Sequence, residues 1–383
     1  MSILNNKQFR DIMSQLIVVV GLVSFLWYIT SNLLYNIDQR GITTGFDFFN
    51  QTAGFGIAES PIAYDENSTY FRAFLVGLAN TLMVSFVGIF FATIIGIVIG
   101  IARLSKNFLI AKLALSYVEL FRNIPILLQI LFWYNVVLAA LPSPRQSIEV
   151  GTTMFLNNRG FNVPKPILED GFGFVVVSFF IAIALVIYLI KWANKKFEQT
   201  GQDTLVLPWA ILIIVGLPFI VYLILGSPMS FDIPMLKGFN YKGGMNYSPE
   251  FLALAFALSI YTATYIAEAV RSGIEAVPKG QKEAAASLGL TPYQSLKAVI
   301  LPQAVRIAIP PIINQYLNLI KNSSLATAIG YPELVTIFSG TVLNQTGQAI
   351  EVILVTMAVY LFISLTISAL LNIVNKKMEI KER

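Results

Sequence analysis

Few side chains in this sequence are able to act as nucleophiles or metal ligands. The 383 residues include no cysteine and no histidine, which excludes thiolate chemistry, disulfide bonds, imidazole acid/base catalysis and the usual zinc sites. The remaining nucleophilic pattern is a serine with a lysine, here Ser323 with Lys321. Since a two-residue offset on a helix points side chains apart, we predict no catalytic residue, and the sequence suggests no cofactor or metal site.

A second set of polar groups consists of hydroxyl, amide and carboxylate side chains inside apolar stretches. Such groups are costly in a membrane when unpaired, so they either bond neighbouring helices or line the path of a polar solute. The candidates for a solute path are Thr262, Thr264, Glu268, Asn318, Asn322, Ser323 and Ser324. Two charged residues also have structural interpretations: Glu268 lies one helical turn from Arg271 and can form an ion pair with it, and Lys321 can extend to the membrane interface.

The elements that must position these groups are membrane-spanning helices. Hydrophobic residues make up 56% of the chain and charged residues 12%, a balance unlike that of a soluble domain. A helix needs about 20 mainly apolar residues to cross the hydrocarbon core. The stretches that satisfy or approach this length are 12–34, 73–102, 123–141, 171–190, 205–225, 251–267, 307–320 and 352–374. The sequence therefore predicts an all-α integral membrane protein with about eight transmembrane helices.

The charged residues indicate how the chain crosses the membrane. If the N-terminus is cytoplasmic, most of the 26 Lys and Arg residues fall in cytoplasmic segments, which predicts that both termini lie inside. Lys7 and Arg10 precede an apolar stretch that is too long for a signal-peptide core, so we expect a permanent anchor. The net charge of +5 is not gathered into a basic run with interleaved aromatic residues, which favours membrane lipid over nucleic acid as a partner.

One polar segment, between the predicted spans 251–267 and 307–320, has a sequence that predicts its local structure. Residues 281–288 are rich in helix formers, and Gly289 offers the left-handed conformation that commonly ends a helix. A second helix is predicted to begin with Thr291 as N-cap, Pro292 at the first position and Gln294 completing a capping box. Pro302 is expected to limit its continuation. Local physics leaves two interpretations open: a docking surface for a partner protein, or a structured loop without one.

The spacing within this segment resembles a known family signature. The residues that carry the resemblance are Glu283, Ala284, Ala285, Gly289, Leu301 and Pro302. They are similar to the EAA signature of ABC importer permeases, E-A-A-x3-G-x9-I-x-L-P, with Val299 in place of the isoleucine. Further segments, at 74–82, 117–125, 267–274 and 321–325, look like the polar amino acid branch of that family. The first helix and the middle insertion make the chain larger than the compact five-helix members of the family, and in this it resembles the permeases of general L-amino acid or glutamate/glutamine/aspartate/asparagine importers.

The resemblance implies a function and a set of partners. It implies a permease subunit in the cell inner membrane that forms the path for polar amino acids, with five of its helices as the core. It also implies a dimer of ABC ATPase subunits docked on the Glu283 loop, a second permease subunit and an extracytoplasmic amino-acid-binding protein. The sequence lacks the G-x-x-x-x-G-K-[ST] phosphate loop, so the ATPase is expected to be another chain. A channel or an intramembrane enzyme is the alternative.

The spans and the resemblance together predict how the chain is divided. We expect an anchor helix and external loop at 1–72, the first part of the permease core at 73–141, an insertion with two extra transmembrane helices at 142–248, the second part of the core with the EAA loop at 249–375, and a cytoplasmic tail at 376–383. Within the second span, Gly96 and Gly100 form a small-xxx-small pattern that predicts close helix packing. The sequence leaves open whether that packing lies within the chain or across a permease dimer.

Overall fold

A computed structural model describes residues 7–41, 44–200 and 204–378. Its helices are α1 (Lys7–Arg40), α2 (Tyr70–Ala102), α3 (Phe108–Asn123), α4 (Ile126–Phe132), α5 (Phe172–Thr200), α6 (Val206–Ile224), α7 (Pro249–Glu275), α8 (Lys279–Ser287), α9 (Pro292–Ser295), α10 (Leu301–Asn322), α11 (Leu343–Thr346) and α12 (Ala349–Met378). Tighter 3₁₀ turns occupy Asp47–Asn50, Pro144–Gln146 and Ser323–Ile329, and wider π turns occupy Trp133–Leu138, Leu296–Ile300 and Val335–Val342. Lys381 and Arg383 of the predicted tail lie outside the described residues.

The described residues contain seven helical spans long and apolar enough to cross a membrane, or eight if a bent pair counts as one. This confirms the predicted class, an all-α membrane protein with about eight spans. The bent pair departs from the simple stretch predicted at 123–141: α3 ends at Asn123, and the helix that begins at Ile126 runs at 99° to it. Pro125 explains the bend, because a proline forces the preceding residue, Ile124, into an extended conformation.

The chain forms two compact units, residues 1–134 with 253–383, and residues 135–252. In the first unit, α2 packs closely against α7. A Cβ atom added to Gly96 would lie 2.6 Å from the Cβ of Ile266, and one added to Gly100 would lie 2.8 Å from the carbonyl oxygen of Ala267. The two glycines therefore serve packing within the chain, which settles the alternative that the sequence left open.

The N-terminal part of α2 carries a second area of the same core. Phe48, from the short 3₁₀ turn, is buried with Tyr70 and with Phe338 of the later π turn. Asn80 is also buried, and its amide donates hydrogen bonds to the carbonyl oxygens of Glu59 and Pro332 at 2.9 and 2.8 Å. Segments far apart in the sequence are thus joined on α2 by both apolar and polar contacts.

The second unit combines a helical pair with short strands. Helices α5 and α6 pack against each other. Four strands precede this helical pair, β1 (Ile148–Val150), β2 (Met154–Asn157), β3 (Gly160–Val163) and β4 (Lys165–Leu168), and four follow it, β5 (Met229–Asp232), β6 (Met235–Lys237), β7 (Asn240–Lys242) and β8 (Met245–Tyr247). They form an antiparallel sheet in the order β1-β2-β3-β8, a two-stranded sheet of β4 and β5, which flank the helical pair in the sequence, and a hairpin of β6 and β7. These strands were not predicted, since three or four residues are too few to show an alternating pattern.

Candidate functional site

The first candidate site is the segment that joins α7 to α10, residues 276–300, here called the linking segment. Its first helix, α8, ends as predicted: Gly289 has φ +75°, and the amides of Gly289 and Leu290 donate to the carbonyl oxygens of Ala286 and Ala285. A backbone in this conformation strains any residue with a Cβ atom. The sharp turn of the linking segment therefore depends on Gly289.

The second helix of the linking segment begins with the predicted capping box. Thr291 accepts a hydrogen bond from the amide of Gln294 at 3.3 Å, and the Gln294 side chain accepts from the amide of Thr291 at 2.9 Å. These reciprocal bonds satisfy two amides that the helix itself leaves without partners. The turn and the start of the helix after it are both encoded locally.

Pro302 does not end this helix, contrary to the expectation from the sequence. The chain continues helically from Pro292 to Ile329, with a π turn at Leu296–Ile300 directly before α10. Because this wider turn interrupts the regular hydrogen-bond pattern just before Pro302, the helix accommodates a residue that has no amide hydrogen. The predicted short span 307–320 is thus part of a longer helical rod that includes the second half of the linking segment.

Most of the predicted docking residues are exposed. They are Glu283, Ala284 and Gly289 of the linking segment and Leu301 and Pro302 at the start of α10, whereas Ala285 is 2% exposed and packs within the chain. Sequence reasoning missed two further residues on this surface, Leu288 and Tyr293, whose exposed fractions are 80% and 72%. Large apolar side chains on both sides of the Gly289 turn were the signal that could have identified them.

Both ends of the linking segment are anchored in the helical core. A Cβ atom added to Gly273 of α7 would lie 2.8 Å from the carbonyl oxygen of Ala304 and 2.9 Å from the Cβ of Ala308, both in α10. Val277, at the start of the segment, is buried. The exposed surface around Gly289 is therefore carried by two helices that are in direct contact.

The second candidate site is a polar cavity of about 330 Å³ formed by α7 and α10. Its lining consists of Tyr261, Thr262, Tyr265, Gln315, Asn318, Lys321 and Asn322. The Tyr261 and Tyr265 hydroxyls share a hydrogen bond at 2.9 Å, and the Arg122 guanidinium lies 5.5 Å from the Tyr265 ring centre. The cavity thus offers hydroxyls and amides, which both donate and accept hydrogen bonds, beside one ammonium group.

The structure brings together three of the seven predicted path residues, Thr262, Asn318 and Asn322, in this cavity. Three of the remaining four have hydroxyl groups that donate hydrogen bonds to nearby backbone. Thr264 donates to the Tyr261 carbonyl, Ser323 to Ile320 and Ser324 to Lys321, each at 2.7 Å. Lys321 also lines the cavity. Gln315 is a lining residue that sequence reasoning missed, because a single glutamine within a helix carries no distinctive pattern.

Glu268, the seventh predicted path residue, belongs to a charged cluster. Its carboxylate forms ion pairs with Arg271, one turn later on α7, and with Arg103 at the end of α2. Arg271 also pairs with Glu275. The predicted ion pair between Glu268 and Arg271 is confirmed, and the tertiary structure adds a partner from another helix.

Helices long and apolar enough to cross a membrane, two of which line a polar cavity and carry an exposed linking segment, define a multi-pass membrane protein. Residues 92–380 match the family described as binding-protein-dependent transport system inner membrane component, and the chain belongs to that family. It is therefore a component of a transport system rather than an enzyme, and the predicted membership among ABC importer permeases is confirmed. Membership implies the inner membrane as its location, and an ATPase and a substrate-binding protein as its partners.

Three relatives match nearly the whole chain. A protein named putative amino-acid ABC transporter permease protein YhdX, from Escherichia coli, is 50% identical over 99% of this chain and 96% of its own length. The general L-amino acid transport system permease protein AapQ, from Rhizobium johnstonii, is 49% identical over 100% and 95%. The glutamate/glutamine/aspartate/asparagine transport system permease protein BztB, from Rhodobacter capsulatus, is 37% identical over 99% and 96%. Both larger permease types named in the sequence analysis are thus among the relatives.

Proposed function

We propose that this chain is the amino-acid-translocating subunit of an ATP-driven importer, and that the linking segment couples it to a separate ATPase. The observation that carries the proposal is the exposed surface around Gly289, rigidly shaped and anchored on two contacting helices. The names of the relatives support amino acids as the substrate class. A polar amino acid needs acceptors for its ammonium group and donors for its carboxylate, and the cavity lining contains both.

The ATPase is proposed to dock on the exposed face of the linking segment. The exposed Ala284 supplies a small-residue surface that allows close approach, Glu283 supplies a carboxylate, and Leu288 and Tyr293 supply apolar anchors. Large exposed apolar groups on an otherwise polar segment are typical of protein interfaces. Ala285 has a different part in this proposal: its buried methyl group holds α8 against its own chain, so that the exposed face moves together with α7 and α10.

The solute path is proposed to pass the polar cavity. Lys321 and the side-chain amides of Asn318 and Asn322 are suited to a carboxylate, and the hydroxyl of Thr262 is suited to an ammonium group. Thr264, Ser323 and Ser324 support the helices around the path through their bonds to the backbone. Glu268 is proposed to serve the path indirectly, through its ion pairs.

The remaining assembly follows from the same proposal. A second permease, either identical or a paralogue, completes the path, two ATPase subunits dock on the cytoplasmic side, and an extracytoplasmic binding protein delivers the amino acid. Both termini are proposed to be cytoplasmic, in agreement with the distribution of Lys and Arg. Membrane lipid surrounds the exposed apolar faces of the helices.

The test is purification of the full-length chain from gently solubilised native membranes, with a variant that distorts the linking segment. Gly289→Pro cannot adopt φ +75°, so we expect it to lose the ATPase while it remains in the membrane. The matched control is Gly280→Ala, in the same segment, where an added Cβ meets nothing within 4 Å. An ATPase that is absent from the unaltered chain, or retained at full level by Gly289→Pro, would contradict the proposal and favour a channel.

A further inference from the structure

A charged cluster joins the end of α2 to the last two turns of α7, directly before the linking segment. The Arg103 guanidinium pairs with Glu268, Glu268 pairs with Arg271, and Arg271 pairs with Glu275. Arg103 is the C-cap residue of α2, and Glu275 is the last residue of α7. The pairs therefore run from the end of one membrane-spanning helix to the point where the other leaves for the linking segment.

The surroundings of Arg103 make this contact more than an ordinary surface ion pair. Its side chain is 13% exposed, so the charge is largely removed from water. A pair that is partly shielded from water is screened less than a fully exposed one, and here the Glu268 side chain is 31% exposed. When Arg103 is removed, Glu268 keeps its pair with Arg271 and loses only its link to α2.

Close packing of the helices sets the register of this pair. Gly100, three residues before Arg103, lies against the carbonyl oxygen of Ala267, the residue next to Glu268. This contact fixes how closely the two helices approach, but the dispersion attraction between them is not directional. A charge-assisted hydrogen bond is directional and therefore fixes the angle at which α7 meets α2.

We propose that Arg103 is a positioning residue for the coupling of ATP hydrolysis to transport, an inference that rests on the proposed function. Movement of the linking segment reaches α7 through the buried Val277 and reaches α10 through the continuous helix that joins them, and the contact of Gly273 with Ala304 keeps α7 and α10 together. Arg103, by holding Glu268, makes α2 follow the same movement. Without that connection, the ATPase moves the linking segment while α2 stays behind, and ATP is hydrolysed without transport.

The test exploits the absence of native cysteine. In the purified complex reconstituted into vesicles, with the partners that co-purify with this chain, we compare amino acid transported per ATP hydrolysed. We expect Arg103→Ala to lower this ratio roughly fivefold or more, in the range typical of coupling between sites, with ATPase association unchanged. The conservative Arg103→Lys variant is expected to retain most of the ratio. Lys106→Ala, which removes an exposed cation three residues later, is the matched control and should leave it unaltered.

A double variant, Arg103→Cys with Glu268→Cys, supplies a readout that loss of folding cannot imitate. We expect it to be uncoupled when reduced and to recover transport per ATP when a bifunctional thiol-reactive linker joins the two cysteines. Transport per ATP equal to that of the unaltered chain in Arg103→Ala, or no recovery on cross-linking of a complex that still hydrolyses ATP, would overturn the proposal. Failure of the proposed function is a separate result, since the unaltered chain would then bind no ATPase at all.

Discussion

Gly273 of α7 lies directly against Ala304 of α10: a Cβ atom added to the glycine would meet the alanine carbonyl oxygen at 2.8 Å. The two helices carry the two ends of the linking segment, so this contact determines how far apart those ends are held. The same closeness recurs between α2 and α7 at Gly96 and Gly100. The core of the first unit is thus assembled from backbone contacts that no larger side chain could make.

Gly273→Val is expected to force α7 and α10 apart. Insertion of methyl groups into a close contact typically costs about 1–3 kcal/mol, so we expect a lower thermal unfolding temperature in detergent. The measurement is thermal unfolding of the purified chain, with Gly216→Ala as the control, since an added Cβ at Gly216 meets nothing within 4 Å. Equal unfolding temperatures for both variants would show that the close contact does not exist.

Leu288 and Tyr293 are expected to anchor the ATPase. Truncation of such anchors commonly costs about 2 kcal/mol or more, so we expect the double variant Leu288→Ala and Tyr293→Ala to weaken ATPase binding by at least tenfold. Affinity is measured by titration of the solubilised chain with the co-purified ATPase. Phe239→Ala is the matched control, because Phe239 has the same 72% exposure as Tyr293 but lies in the second unit. If Phe239→Ala weakens ATPase binding equally, Leu288 and Tyr293 are not specific anchors for the ATPase.

Thr291 is expected to fix the start of the helix after the Gly289 turn. Loss of an N-cap hydroxyl costs about 1 kcal/mol, so Thr291→Ala should speed hydrogen exchange of the backbone amides in residues 293–300. Ser287→Ala is the control in the same segment, since the Ser287 hydroxyl donates within its own helix to the Glu283 carbonyl. Unchanged exchange in Thr291→Ala would mean that tertiary packing alone maintains this helix start.

Asn318 is expected to contact the transported solute. A hydrogen bond to a charged group contributes about 1.5–3 kcal/mol, so Asn318→Leu should raise KM for uptake by roughly tenfold or more while the protein level in the membrane stays constant. Asn314→Leu makes the same chemical change one turn earlier on α10, outside the cavity lining, and should leave KM unaltered. Initial uptake rates at several amino acid concentrations separate the two variants. A shift in kcat alone would assign Asn318 to helix packing.

Features with a local cause were readable from the sequence. Gly289 and the Thr291 capping box are determined by conformational preferences within a few residues of each other, and the structure has both. The apolar spans were predictable because hydrocarbon requires long helices. The ion pair of Glu268 with Arg271 follows from helical spacing alone.

Features that depend on distant neighbours were decided only by the tertiary structure. The pattern of Gly96 and Gly100 predicts close packing, but the partner helix is chosen by shape complementarity with residues about 170 positions away. Pro302 was expected to limit a helix, and the preceding π turn allowed the helix to continue. Glu333 is a further example of a feature that the tertiary structure decided. It is fully buried, and its carboxylate accepts hydrogen bonds from the amide of Val335 and the hydroxyl of Tyr360.

The difference between the features that the sequence predicted and those that the tertiary structure decided has one physical reason. Helix propensity, helix capping and the length of apolar stretches depend on residues that are neighbours in the sequence. Arg103 meets Glu268 only after α2 and α7 have packed, and a charge becomes shielded only when other helices exclude water from it. The sequence by itself therefore determined the class of protein and the shape of the linking segment, and the tertiary structure decided which helices are in contact near it.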